Sequence, residues 1–308
     1  MITAAAQAGI VSRRRSLRVG LALVGVLAAA VILYLRAQDD LCAHTGKTGI
    51  PQAECAALVA LYQATDGANW FNHFVPNNQS NTWLEWFAGR FSHSEDRSAW
   101  LSGDTPCDWY GVTCAGGHIS ALDLPGNWLK GELPPEIGNL THLELLSLGN
   151  NTQLQGTLPL ELGRLTLLRT LILENDRFSG SLLPEIGNLA NLEILILNNN
   201  QLSGAIPPEL GNLAGLRVLD LSINRLTGEI PPELGALHNL IMLKLHDNQL
   251  QGEIPATITR LTRLRILAIC RGNELVVADP VVARFMTMTA HDPGWETDCV
   301  DGTMIEEH

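Results

Sequence analysis

The chain has 308 residues, of which 46% are hydrophobic, 5% aromatic and 17% charged, a composition that excludes an intrinsically disordered or collagen-like protein. Its net charge of −12 is unevenly spread: residues 1–36 hold five arginines and no acidic side chain, which leaves 15 basic against 32 acidic groups in the remainder. A body this acidic repels a phosphate backbone, so nucleic acid is excluded as a general partner.

Taken in chain order, Arg13, Arg14, Arg15 and Arg18 precede an uncharged apolar run at 19–35, and Arg36, Asp39 and Asp40 follow it. Basic residues ahead of the run hold that end in the cytoplasm. The run is at the short end for a bilayer span and slightly longer than a usual signal-peptide core. Leu35 at the −3 place for a cut after Ala37 makes a poor cleavage site and favours an uncleaved single-pass anchor over a cleaved signal. On either reading everything after Gln38 is exported; residues 1–18 are a cytoplasmic tail if the anchor stays, and the product is secreted if it is cut. Cys42, Cys55, Cys107, Cys114, Cys270 and Cys299 form three close couples, in keeping with disulfides in an oxidising compartment. They lack a CxxC pair and a histidine doublet, so no metal site is expected.

Leucine accounts for 52 residues, 40 of them within 119–272. Ile119, Leu143, Leu168, Leu192, Leu216, Leu240 and Leu264 start units spaced 24 apart, with one step of 25. Within a unit, Leu195 and Leu197 alternate on one face of a short strand while Ile194, Ile196 and Asn198 face the other way. Asn127, Asn151, Asn200, Asn224 and Asn248 fall where the chain must turn, where an amide can satisfy main-chain groups; Asp176 replaces the amide in one unit and predicts a weaker step. Gly204, Pro207 and Pro208 predict an extended return segment without a long helix. No unit buries its leucines alone, so the units must stack into a continuous parallel sheet. Leu183 stands where the pattern has proline.

This LxxLxLxxNxLxGxIPxxLGxL pattern resembles the plant-type leucine-rich repeat of receptor-kinase ectodomains, and AALVALYQATDGANW (56–70) and PCDWYGVTC (106–114) resemble that family's N-terminal cap. The resemblance implies an α/β repeat solenoid, a right-handed superhelix with a concave parallel sheet that binds proteins, peptides or small ligands. The expected divisions are a cap at 39–118, about seven repeats at 119–272 and a C-terminal cap at 273–308. No kinase motif is present.

Solenoid ends need covers with a polar outer face. Cys55, Leu58, Val59 and Tyr62 share a face of an expected helix ending near Asp66-Gly67, and five of the seven tryptophans lie between Trp70 and Trp109, as a small core or as an aromatic ligand platform. Asp279 and Pro280 predict the start of a helix carrying Val281, Val282 and Phe285, which a Cys270–Cys299 bridge would pin over the last repeat.

The nine histidines show no HExxH or i,i+4 pair, and neither GxSxG nor a phosphate loop occurs; His93-Ser94-Glu95-Asp96 cannot converge on one atom. No catalytic constellation, cofactor or metal is therefore expected, and the chain reads as a non-enzyme. The expected partner-binding surface is the concave face: an exposed apolar centre of Ile172, Ile194, Ile196, Val218 and Met242, rimmed by Glu174, Asp220, Lys244 and His246. Strand packing alone is the competing explanation of the branched residues. Arg260, Arg263, Arg265 and Arg271 crowd the last repeat, as a solvated end or a contact for an acidic partner. Two functions fit the sequence: recognition of a protein or peptide, and an adhesion or envelope role in which the solenoid is a self-associating spacer. The sequence leaves the oligomeric state undetermined.

Overall fold

The computed structural model describes residues 42, 49–70, 100, 101 and 105–289. The apolar run 19–35, the segment 93–96 and Cys299 lie outside them, and no helix among the described residues is long and apolar enough to cross a membrane. The chain divides into two compact units, Met1–Gly46 and Lys47–His308, and all the repeats belong to the second.

An eight-stranded sheet runs in chain order from Val112–Ala115 through His118–Asp123, Leu145–Ser147, Thr170–Ile172, Ile194–Ile196, Val218–Asp220 and Met242–Lys244 to Ile266–Ala268, each repeat after the first giving it three residues. The first pair is antiparallel and the rest are parallel. In the antiparallel hairpin the turn is Gly116-Gly117, with φ of 60° and 80°, the left-handed pair that a tight two-residue hairpin requires. Equivalent leucines stack because the register carries no offset: Leu146, Leu171, Leu195, Leu219 and Leu243 pair in succession and are fully buried.

The return segments hold more than an extended course. They form a second parallel sheet of seven strands, from Lys130–Glu132 to Glu274–Val276, followed in six repeats by a five-residue 3-10 turn such as Pro184–Asn188 or Pro208–Asn212. Among the described residues no repeat contains an α-helix, and the expected α/β repeat is strand plus 3-10 turn. Leu183 has φ −84° and ψ 126°, close to the −66° and 132° of Pro207 in the next repeat, so leucine enters the turn in the backbone shape proline fixes. Within these turns a Cβ on Gly187 or Gly211 would lie 2.4–2.5 Å from the carbonyl of Glu209 or Glu233 one repeat on, so the stack closes only over glycine.

The predicted asparagine column is present from Asn151 onwards and runs further along the chain than expected. Asn200 Oδ1 accepts from Phe178 N–H at 2.9 Å, and its Nδ2 donates to Leu173 O at 2.7 Å and Leu197 O at 3.1 Å. Asn151, Asn224 and Asn248 repeat the pattern, and Asn273, not foreseen, continues it by accepting from Leu250 N–H and donating to Leu245 O and Ile269 O. Both polar side-chain atoms of Asn127 are buried without a partner among the described residues.

In the N-terminal cap, helix α1 (Gln52–Ala64) buries Cys55, Leu58, Val59 and Leu61, with Tyr62 half-buried. Tyr62, Trp70, Trp100 and Trp109 pack with successive ring centroids 5.3, 4.7 and 5.2 Å apart, and Trp70 and Trp100 donate their indole N–H to Thr65 O and Tyr110 O. The described tryptophans of the cap are core, not a platform. Cys107 and Cys114 are bridged, with Cα atoms 5.6 Å apart, and Cys42, Cys55 and Cys270 are also disulfide-bonded. At the far end, helix α2 (Pro280–Thr289) is capped by Asp279, whose Oδ1 accepts from Val281 N–H at 2.7 Å. Val282 is fully buried and Phe285 half-buried, but Val281 is 63% exposed, because its place one residue earlier turns it away from the last repeat.

Asp176 is the defect in the column. Its Oδ1 accepts from Asn151 N–H, while Oδ2 sits buried without a partner among the described residues, where Asn200 and Asn224 place an amide donor. Burial, aided by the charge of Glu174 and opposed by that N–H, raises its carboxyl to about 8. The folded chain therefore keeps a proton that the unfolded chain releases above about pH 4. The stability linked to this group is complete below that value and is lost as pH rises towards 8. Asp176→Asn should stabilise the fold at neutral pH by roughly 1–3 kcal/mol and flatten this slope, in urea unfolding measured across pH 4–8.

Candidate functional site

The outward face of the eight-stranded sheet carries the expected residues in two aligned columns. Thr170, Ile194, Val218, Met242 and Ile266 pair in register, as do Ile172, Ile196, Asp220, Lys244 and Ala268. A third row, two residues further on, contains Glu174, Asn198, Ser222 and His246. The columns are as read from the sequence, but the exposure is not. Ile194, Ile196 and Val218 are only 6–8% exposed and pack into one cluster with Ile172 and Met242, which are partly buried. Strands about 4.8 Å apart bring like side chains into contact along each column, so these branched residues cover one another.

The polar row is where unsatisfied capacity remains. Asn198 Oδ1 is buried and lacks a partner among the described residues. Glu174 accepts from Asn150 Nδ2 at 3.4 Å, and its carboxyl is raised by burial and by the nearby Asp220, with the Asn150 bond opposing. Asp220 Oδ1 accepts both the Ser222 hydroxyl at 2.5 Å and the Ser222 N–H at 3.1 Å. The Ser222 proton is thus directed to a carboxylate, not to an imidazole base. His246 is held below the ordinary histidine range mainly by burial, while Asp247, 2.9 Å from its Nδ1, acts in the opposite direction. Asp247 is itself kept ionised by the Arg271 guanidinium, which donates to both of its oxygens. Two of the four crowded arginines are engaged locally, since Arg263 also donates to Asn239 Oδ1 at 2.8 Å.

Along one border of this face runs a second ladder that sequence reasoning missed. Trp128, Asn150, Asn175, Asn199, Ile223 and Asp247 all have φ between 53° and 65°. Asn199 Nδ2 donates to Asn175 Oδ1 at 2.7 Å and Asn175 Nδ2 to Asn150 Oδ1 at 2.9 Å. The signal was available: an amide precedes the column residue in these repeats, and asparagine is the side chain most at ease in that backbone region. A third constellation was hidden by its dispersal along the sequence. Glu54 of α1 meets His118 and His142, which stand one repeat period apart and so share a column.

The Leucine Rich Repeat family pattern matches residues 118–140, 191–213 and 215–237. These three units are leucine-rich repeats. They are similar to those of plant receptor-kinase and receptor-like-protein ectodomains. Receptor-like protein 3 of Arabidopsis thaliana is 37% identical over 78 residues, 24% of this chain and 10% of that protein. The chain spans a tenth or less of the length of the curated relatives it matches first. Among solved structures, the ectodomain of the Arabidopsis receptor kinase HAESA, in complex with an extended IDA peptide hormone, superposes with a TM-score of 0.54 at 34% identity, covering 59% of this chain and 31% of that one. A plant ice-binding protein superposes with 0.59 at 28% identity, covering 74% of this chain and 65% of that one. One scaffold thus serves proteins with unlike ligands, and the choice of ligand rests with the residues each displays on it.

Ile223 breaks the border ladder, because a β-branched side chain, 43% exposed, occupies the left-handed position with φ of 55°. Ile223→Asn should relieve that strain and extend the ladder to Asn199, raising stability by about 1 kcal/mol in thermal unfolding.

Proposed function

We propose that the chain is a non-catalytic recognition module, held outside the cytoplasm by an anchor at 19–35, whose eight-stranded sheet lines the concave side of the solenoid and binds a protein or peptide ligand. The observation that carries this reading is the polar row. A buried acceptor without a partner among the described residues, Asn198 Oδ1, stands in line with the carboxylate of Glu174, and Asp220 in the neighbouring column holds Ser222 of the same row. Buried acceptors call for donors, and the groups that supply several in a row are the N–H groups and cationic side chains of an extended peptide. Ile172 and Met242 keep part of their surface open beside the row, and Ile194, Ile196 and Val218 support them from within the cluster. His246 ends the row, and Lys244 in the neighbouring column supplies a cation suited to a ligand carboxylate. The peptide hormone in the HAESA complex is a ligand of this kind on a similar ectodomain.

The test is to select binders from a random peptide library on the full chain and measure the affinity of the best one for the parent and for Glu174→Gln. The variant should bind at least about tenfold more weakly, or about 1.4 kcal/mol, with its thermal midpoint unchanged. Because burial raises the Glu174 carboxyl, affinity should fall on acidification at a pH above the roughly 4.3 at which an ordinary glutamate titrates. Equal affinity for parent and variant, with no pH dependence, would contradict the reading.

A further inference from the structure

Glu54 sits in the first turn of α1, only 3% exposed, with both carboxylate oxygens turned towards the start of the repeats. Its Oε2 accepts the Ile119 N–H at 2.7 Å, and its Oε1 lies 2.6 Å from His118 Nδ1 and 3.6 Å from His142 Nδ1. The one-period spacing stacks the two imidazoles, with centroids 3.5 Å apart and planes 17° from parallel. One donor atom from each of the three residues falls within 4.8 Å of the others. A helix, a strand and the turn before the next strand thus deliver two nitrogens and one oxygen to a single point at the seam between cap and solenoid.

We propose that Glu54, His118 and His142 bind a divalent transition-metal ion of the zinc class, which bridges the N-terminal cap to the first two repeats. Two imidazoles and one carboxylate suit zinc and its neighbours, whereas calcium and magnesium prefer sets of oxygens. Two donors about 2.0–2.2 Å from one tetrahedral centre lie roughly 3.3–3.6 Å apart. The separation of His142 Nδ1 and Glu54 Oε1 falls at the upper end of that range. The closer His118 contact is a hydrogen bond that the metal replaces, the ring proton moving to Nε2 as Nδ1 becomes the ligand atom. The Ile119 N–H on the second oxygen fixes the carboxylate as an outer partner does in established metal sites. His142 must tilt out of the stack to aim its ring nitrogen. Its side chain is 46% exposed and gives up a 3.4 Å hydrogen bond with Thr141 Oγ1 in doing so. Three protein ligands leave a fourth position for water.

The test uses the full chain, stripped with a chelator and titrated with zinc chloride by calorimetry and in thermal unfolding. One zinc per chain should bind, and the thermal midpoint should rise with zinc but not with the same concentration of magnesium. His142→Ala, a change at a half-exposed side chain, should keep the parent's midpoint in chelator while weakening zinc by more than the roughly 10–100-fold typical of losing an outer partner. His118→Gln should do the same, and if it shifts the midpoint in chelator the comparison rests on His142→Ala. No stoichiometric zinc uptake by the parent, or equal uptake by parent and His142→Ala, would overturn the proposal.

Discussion

The fold depends on the way the buried asparagine column finishes the turns. After each strand the chain reverses within a few residues, leaving carbonyls and an N–H pointing inwards where water cannot reach. Unsatisfied, each such group costs roughly 1–3 kcal/mol. Asn224 Nδ2 answers Leu197 O in one repeat and Leu221 O in its own, and its Oδ1 answers Leu202 N–H in the preceding repeat. One amide therefore ties adjacent units, and at Asn151, Asn200, Asn224, Asn248 and Asn273 the polar remainder of the turn is shared with its neighbour. The glycines of the 3-10 turns serve the same closure from the other side, by allowing backbone to approach backbone.

Much of this was legible because a repeat writes the same physics many times. The period placed the strands of the first sheet and four working members of the column, Asn151, Asn200, Asn224 and Asn248, and the cap helix could be placed from Cys55, Leu58, Val59 and Tyr62. Asn273 escaped because it falls 25 residues after Asn248, one beyond the usual spacing. The second sheet escaped because strands such as Arg225–Gly228 are short and polar and show no alternation. Alternation assigned Ile194, Ile196 and Val218 to the correct face but carries no information on exposure, which neighbouring strands decide. Val281 shows the same limit at the end of the chain.

The candidate sites were the least legible part, for a related reason. A linear search for spacing finds ligands on one helix or in one loop, and here the relevant neighbours are a repeat apart or further. His118 and His142 become adjacent only once the solenoid is wound, and Glu54 joins them only once the cap has docked. The polar row from Glu174 to His246 is assembled in the same way, one residue from each repeat, so its chemistry belongs to the stack and not to any one segment. Its orphaned acceptor on Asn198 could not be read from composition, because an asparagine amide is normally satisfied.

Coupling of neighbouring repeats by the asparagine column is tested most directly by amide hydrogen exchange on the parent and on Asn224→Ala. If the column carries that coupling, Leu202 N–H, which Asn224 Oδ1 accepts, loses protection together with the turns on both sides that supply Leu197 O and Leu221 O. Loss of protection confined to the immediate surroundings of residue 224, with the preceding repeat unchanged, would contradict it.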